Sequence, residues 1–187
     1  MTGATGPGSP AAGPVSPAGP RAIVLIGMMG SGKSAVGLAL ACRLGRNFVD
    51  VDAAIEADAG RPVAAIFSEE GEAGFRERER EAIAEATKTH NAVIACGGGA
   101  VLDPANVAQL KTHGTIVWLR VTPETAAKRL GTDQGRPLLQ RMEGSLEERL
   151  DQLIAARAIA YETAADFTVQ ADGPVDQVAE AILRNKL

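Results

Sequence analysis

The stretch AIVLIGMMGSGKS, residues 22–34, decides how the rest of the chain folds. Ala22 to Gly27 is short, apolar and rich in β-branched side chains, the pattern of a strand buried on both faces. Gly27-Met28-Met29-Gly30-Ser31-Gly32-Lys33-Ser34 follows at once and matches G-x-x-x-x-G-K-[ST], a phosphate-cradling loop, at the strand-to-helix junction this motif requires. Glycines there let backbone N–H groups curl around a phosphate, and the helix N-terminus adds partial positive charge. Lys33 supplies a compact cation between β- and γ-phosphates, and the Ser34 hydroxyl a place on Mg²⁺. Gly30, Ser31, Gly32, Lys33, Ser34 and Ala35 are therefore the expected nucleotide-binding residues.

Downstream, strand-like and helix-like segments alternate. Helical spacing runs from Lys33 to Leu44, with Val36, Leu40 and Leu44 on one stripe. A short strand is expected at Asn47–Val49, and one charged helix at Glu69–Glu85. Strand AVIAC (92–96), a helix at Pro104–Lys111 and strand TIVWL (115–119) follow. Pro123 suits the first turn of another helix, Leu146–Ala160 is helical, Phe167–Val169 is a strand and Val175–Leu183 a closing helix. Alternation of this kind predicts an α/β fold: a five-stranded parallel sheet covered by helices on both faces. Gly131 to Met142 (GTDQGRPLLQRM) is a polar, glycine-broken insert, expected to be a mobile lid or a plain surface loop.

Residues 1–20 are almost entirely Gly, Pro, Ala, Ser and Thr, too poor in apolar side chains to offset ordering entropy, so a disordered tail is expected there. Residues 21–187 then form one domain. A formal charge of -4 offers no basic field, which argues against nucleic acid or an anionic membrane as partner. Two separated cysteines, no apolar run long enough to span a bilayer and no basic-then-apolar start point to a cytoplasmic protein. No long heptad suggests an oligomer, so a monomer is the expectation.

The cradle alone does not separate kinases, GTPases and motor ATPases. No N-K-x-D guanine-reading segment is present, and TIVWLR lacks the aspartate that usually ends a magnesium-holding strand. Asp50 and Asp52, two apart after the second strand, read as alternate residues of an extended segment facing one cleft; a helix-capping pair is the competing reading. Gly97-Gly98-Gly99 removes all side chains where the chain leaves the sheet, for close ligand approach or simply for a turn. Arg76 stands three residues before Glu79, which could orient it, although a solvated place in the charged run is an equal alternative. Arg136 lies in the insert, where a cation could reach a transferring phosphate, and Arg157 sits among alanines. Two guanidinium groups suit an acidic acceptor.

Taken in order, G27–S34, Asp50-Val51-Asp52, Phe75-Arg76, Gly97-Gly98-Gly99 and Arg136-Pro137-Leu138-Leu139 resemble the motif series of the shikimate kinase family. The resemblance runs from about Ala22 to the C-terminus. It implies a P-loop kinase fold of the nucleoside-monophosphate-kinase type and ATP-dependent phosphorylation of the shikimate 3-hydroxyl, with Mg²⁺ as cofactor. It implies that Asp52, Arg76, Arg157 and the glycines 97–99 bind shikimate, within a substrate region at about 52–90. Asp50 would support Mg²⁺ through water beside Ser34, Arg129 would lie near adenine and Arg136 would close over ATP. Lys33, Asp52 and Arg136 would be the catalytic residues. The family often has R-x-P-x-Y where Arg157-Ala158-Ile159-Ala160-Tyr161 stands, and 170–174 lacks the basic residues some members carry. Another small-metabolite kinase, for gluconate or a nucleotide, is the alternative, and an ATP-binding regulator without turnover is a second.

Overall fold

The computed structural model describes residues 21–132 and 134–185; the segment expected to be a disordered tail lies outside them. Five strands are present among these residues: β1 (Ala22–Ile26), β2 (Asn47–Asp50), β3 (Ala92–Ala95), β4 (Gly114–Arg120) and β5 (Phe167–Gln170). They pair in the order β2-β3-β1-β4-β5, every pair parallel, with Ile23 opposite Val93 and Thr115. Parallel neighbours need crossovers, and helices provide them. These are α1 (Lys33–Leu44), α2 (Val51–Ala59), α3 (Val63–Glu69), α4 (Gly71–Ala86), α5 (Pro104–His113), α6 (Pro123–Leu130), α7 (Pro137–Gln140), α8 (Leu146–Ala164) and α9 (Val175–Arg184).

Strand alternation sorts the interior into two layers. Ala22, Val24 and Ile26 of β1 join Ile94, Ile116 and Trp118 beneath α2–α5 and α8. Ile23 and Leu25 face the other way, with Val93, Val117 and Leu119, against Val36 and Leu40 of α1 and Val178 and Ile182 of α9. Each strand residue thus feeds one core or the other, which is why the central strands read as unbroken apolar runs. A third cluster, Met28, Val121, Ala126, Leu139 and Leu150, holds α6, α7 and α8 beside the phosphate loop.

The expected sheet and flanking helices are present, with two corrections. The acids Asp50 and Asp52 do not share an extended segment: Asp50 ends β2 and is the N-cap of α2, accepting from the N–H of Asp52 (3.1 Å) and Ala53 (3.2 Å). The capping reading applies to Asp50, because its short carboxylate satisfies two otherwise orphaned N–H groups. The single helix expected at 69–85 is instead the end of α3 and all of α4, broken at Gly71, whose φ of 72° lies in the left-handed region. Arg61, between α2 and α3, and Arg78 of α4 both pair with Glu70 at that break, and Arg78 also reaches Asp58 of α2.

Candidate active site

The phosphate loop closes on itself through Ser31 N–H to Met28 O (3.1 Å), and α1 begins with Val36 N–H on Gly32 O (2.9 Å). Gly32 caps α1 at φ 87°, a conformation that turns the loop without a side-chain penalty. Lys33 lies back across the loop, its Nζ donating to Gly27 O (2.9 Å) and Met28 O (3.1 Å). Burial pushes the Lys33 ammonium below its ordinary value, while Asp52, Cys96 and Asp50 pull the other way. Lys33 lines the cleft with its ammonium restrained by the loop carbonyls.

Next to it, Ser34 Oγ donates to Asp50 Oδ2 at 2.5 Å. A hydroxyl and a carboxylate oxygen at the mouth of a phosphate loop are hard donors suited to a small divalent cation, which needs few protein ligands when phosphates and water complete its shell. Among the described residues, no cluster of three or more His, Cys, Asp or Glu offers a competing metal cage.

Across the cleft, the chain leaves β3 through Gly97-Gly98-Gly99, and two carboxylates converge on Gly97. A Cβ built there would stand 2.6 Å from Glu79 Oε1 and 2.8 Å from Asp52 Oδ1. Neither of those buried oxygens has a hydrogen-bond partner. Burial holds the carboxyls of both Asp52 and Glu79 above their ordinary values; Lys33 opposes this at Asp52 and Arg76 opposes it at Glu79. Glu79 is fully buried, and its Oε2 accepts from Arg76 Nη1 at 2.7 Å. Glu72 takes the second arm of Arg76 at 3.1 Å, so α4 itself aims the guanidinium along the face of Gly99. Arg157 is buried too, reaching from α8 to Gly98 O at 3.0 Å.

The nucleotide side is framed by α6. Arg129 donates to Gly30 O (3.2 Å) through one arm and to Asp172 O and Gly173 O (3.0 Å each) through the other. The Asp172 carboxylate returns to the start of α6, accepting from Thr122 N–H (2.9 Å) and Oγ1 (2.8 Å). Arg136 caps α7 and donates to Thr132 O (3.3 Å) and Gln134 O (3.2 Å), within the insert after α6.

One cleft of about 610 Å³ gathers these groups. Gly30, Gly32, Lys33, Ser34, Ala35, Asp50, Asp52, Arg76, the three glycines, Arg129, Arg136 and Arg157 all line it; Ser31 lies just behind, 1% exposed. Sequence reading missed Glu56, which lines the cleft and accepts from Val63 N–H at 2.8 Å to cap α3. It also missed Phe67, whose ring lies 4.5 Å from that of Phe75, tilted by 31°, in the cleft wall. No motif marks Glu56 or Phe67; a run of helical spacing across 51–69 was the available signal.

A phosphate loop with its lysine and serine, opposite a pocket of aimed arginines and buried carboxylates on a parallel sheet, defines a P-loop phosphotransferase acting on a small anionic molecule. Comparison narrows the class: the shikimate kinase family model matches residues 29–186, and the chain belongs to that family of ATP-dependent enzymes. It is 49% identical over 168 residues to a shikimate kinase of Symbiobacterium thermophilum, covering 88% of this chain and 95% of that one. With the shikimate kinase of Moorella thermoacetica it shares 48% identity over 154 residues, covering 82% and 87%. The solved structure of an Acinetobacter baumannii shikimate kinase in complex with shikimate superposes with a TM-score of 0.82 at 37% identity, covering 90% and 96%. A Mycoplasma mycoides deoxyadenosine kinase with bound dCTP shares the fold alone, at TM-score 0.54 and 17% identity.

Proposed function

We propose that this cleft transfers the γ-phosphoryl group of ATP to the 3-hydroxyl of shikimate. The observation that carries the reading is the placement of Asp52, Arg76 and Arg157 around the glycine turn, facing Lys33 and Ser34 across one cavity. Arg76 and Arg157 grip the shikimate carboxylate, and N–H groups of Gly97–Gly99 meet the ring. Asp52 orients the attacking hydroxyl and receives its proton, a role that suits a carboxyl whose free oxygen has no internal partner. Lys33 and Arg136 spread the charge that builds on the transferring group. Arg129 holds the loop at 170–174 against the phosphate loop, beside the adenine. Ser34, with Asp50 through water, would hold Mg²⁺, which when bound neutralises phosphate charge. Closure of the segment 131–142 excludes water and so limits hydrolysis.

The reading extends to a cytoplasmic monomer. Cys42 and Cys96 are both free thiols, which suits a reducing compartment, and the cleft needs no second copy to complete it. No described helix is long and apolar enough to cross a membrane.

The test is ADP release from Mg²⁺ and ATP with shikimate, gluconate or a nucleoside monophosphate as acceptor. Turnover with shikimate alone supports the reading. Turnover with another acceptor, or none with any, would replace it.

A further inference from the structure

Tyr161 lies on α8, one helical turn after Arg157, and is 1% exposed. Its hydroxyl donates to Gly98 O at 2.5 Å, the carbonyl that also receives Arg157 Nη1 at 3.0 Å. Such a carbonyl, held by two buried donors, has little freedom to rotate. The other two carbonyls of the turn are engaged as well: Gly97 O accepts from Ala100 N–H (3.1 Å) and Gly99 O from Leu102 N–H (3.0 Å). The whole turn is thus fixed from behind.

Gly98 also faces the phosphate loop. A Cβ at Gly98 would lie 3.5 Å from Gly27 O and 3.6 Å from Met29 N, so the gap between acceptor turn and phosphate loop at this residue is one that a single methyl group would fill. Tyr161 in turn is braced by Trp118, whose ring stacks on it with centroids 5.5 Å apart and planes 18° from parallel. Trp118 sits on β4 directly opposite Ile26, the last residue of β1 before the loop. A chain of contacts results, from Gly98 to Tyr161, Tyr161 to Trp118 and Trp118 to Ile26 of β1, the strand that leads into the phosphate loop. Burial holds the Tyr161 phenol above its ordinary value, keeping it a neutral donor. α8 carries Arg157 and Tyr161 on one face, without a proline between them.

We propose that Tyr161 is a positioning residue for phosphoryl transfer: its bond to Gly98 O sets the acceptor turn's distance from the phosphate loop. The proposal rests on the acceptor reading above. Arg157 touches the same carbonyl but is assigned to the acceptor carboxylate, so its loss should weaken binding. Tyr161 does not line the cleft, so its loss should act on the transfer step. Angstrom-scale misplacement of reactants is costly, because aligned approach supplies much of the rate enhancement.

The test compares Tyr161→Phe with wild type for kcat, both KM values and the ratio of ADP formed to phosphorylated acceptor formed. That ratio is independent of the fraction of protein that is folded. The expected result is a kcat lower by about tenfold, KM values within about threefold, and a ratio above one as water competes for the misaligned phosphoryl group. A kcat within twofold of wild type, or a loss of activity with the ratio unchanged at one, would overturn the proposal. Wild-type turnover with shikimate tests the acceptor assignment separately, since only the variant-to-wild-type comparison bears on Tyr161.

Should Tyr161→Phe fail to fold, the chain's single tyrosine allows a second measurement on the unmutated sequence. Biosynthetic 3-fluorotyrosine places one fluorine beside the Gly98 bond. A ¹⁹F resonance that shifts when shikimate is added supports the proposal. One that ignores shikimate at a concentration that saturates turnover of the same labelled protein overturns it, whereas absence of turnover with shikimate overturns the acceptor reading instead.

Discussion

Ser34 Oγ stands 2.5 Å from Asp50 Oδ2, so the first turn of α1 and the last residue of β2 meet in one hydroxyl–carboxylate hydrogen bond. Asp50 divides its two oxygens between tasks, since Oδ1 caps α2. The tasks separate by mutation. Asp50→Ala should lose both, lowering stability by about 1 kcal/mol from the missing cap and raising the Mg²⁺ concentration needed for half-maximal activity. Ser34→Ala should shift the Mg²⁺ requirement and leave the urea midpoint near wild type. An unchanged Mg²⁺ titration in Ser34→Ala would remove this corner as the metal's seat.

Asp52 predicts a stability that falls as its site becomes functional. Burial raises its folded-state carboxyl above the ordinary value of 3.8, so the folded protein binds this proton more tightly than the unfolded chain. The corresponding stability is fully present below pH 3.8 and is lost as pH rises through the folded-state value. Asp52→Asn removes the buried charge. It should melt about 2–4 °C higher than wild type at pH 8, with the gap closing towards pH 4, while kcat falls by about 10²–10⁴. Equal melting temperatures across that range would contradict the assignment. The acid limb of wild-type kcat/KM should likewise lie above the usual aspartate range.

The three glycines of the acceptor turn should not be equivalent. A methyl group at Gly97 would press on Glu79 and Asp52 at 2.6 and 2.8 Å, and one at Gly99 would meet Arg76 Nη1 at 2.6 Å. At Gly98 the nearest atom is 3.5 Å away, an ordinary contact. Gly97→Ala and Gly99→Ala should therefore raise the KM for shikimate by about tenfold or more, and Gly98→Ala by about twofold at most. Steady-state kinetics on the three variants decides, and equal effects would mean the crowding is relieved elsewhere.

The parts of this molecule legible in its sequence are those written in local spacing. Ala22–Ile26 announces a doubly buried strand, and Gly27–Ser34 its phosphate loop, because both signals lie within one short window. The pairing of Arg76 with Glu79 follows from helical pitch. What was hidden depends on pairs far apart in the chain. Asp52 and Glu79 meet at Gly97 only because β2 and β3 lie side by side. Tyr161 and Gly98 are 63 residues apart, and only the packing of α8 over the glycine turn joins them. The helix α2 was missed because its start overlaps an acid pair that reads equally well as extended chain.

Arg129 spans from the phosphate loop to the 170–174 loop, and every acceptor it reaches, on Gly30, Ser31, Asp172 and Gly173, is a backbone carbonyl. A guanidinium held this way reads the path of the main chain and is indifferent to side-chain identity. Mutational tolerance around the nucleotide site should therefore be lopsided: the loop may drift in composition while the arginine that braces it stays fixed. The 170–174 loop carries no basic residue, and the brace is intact without one.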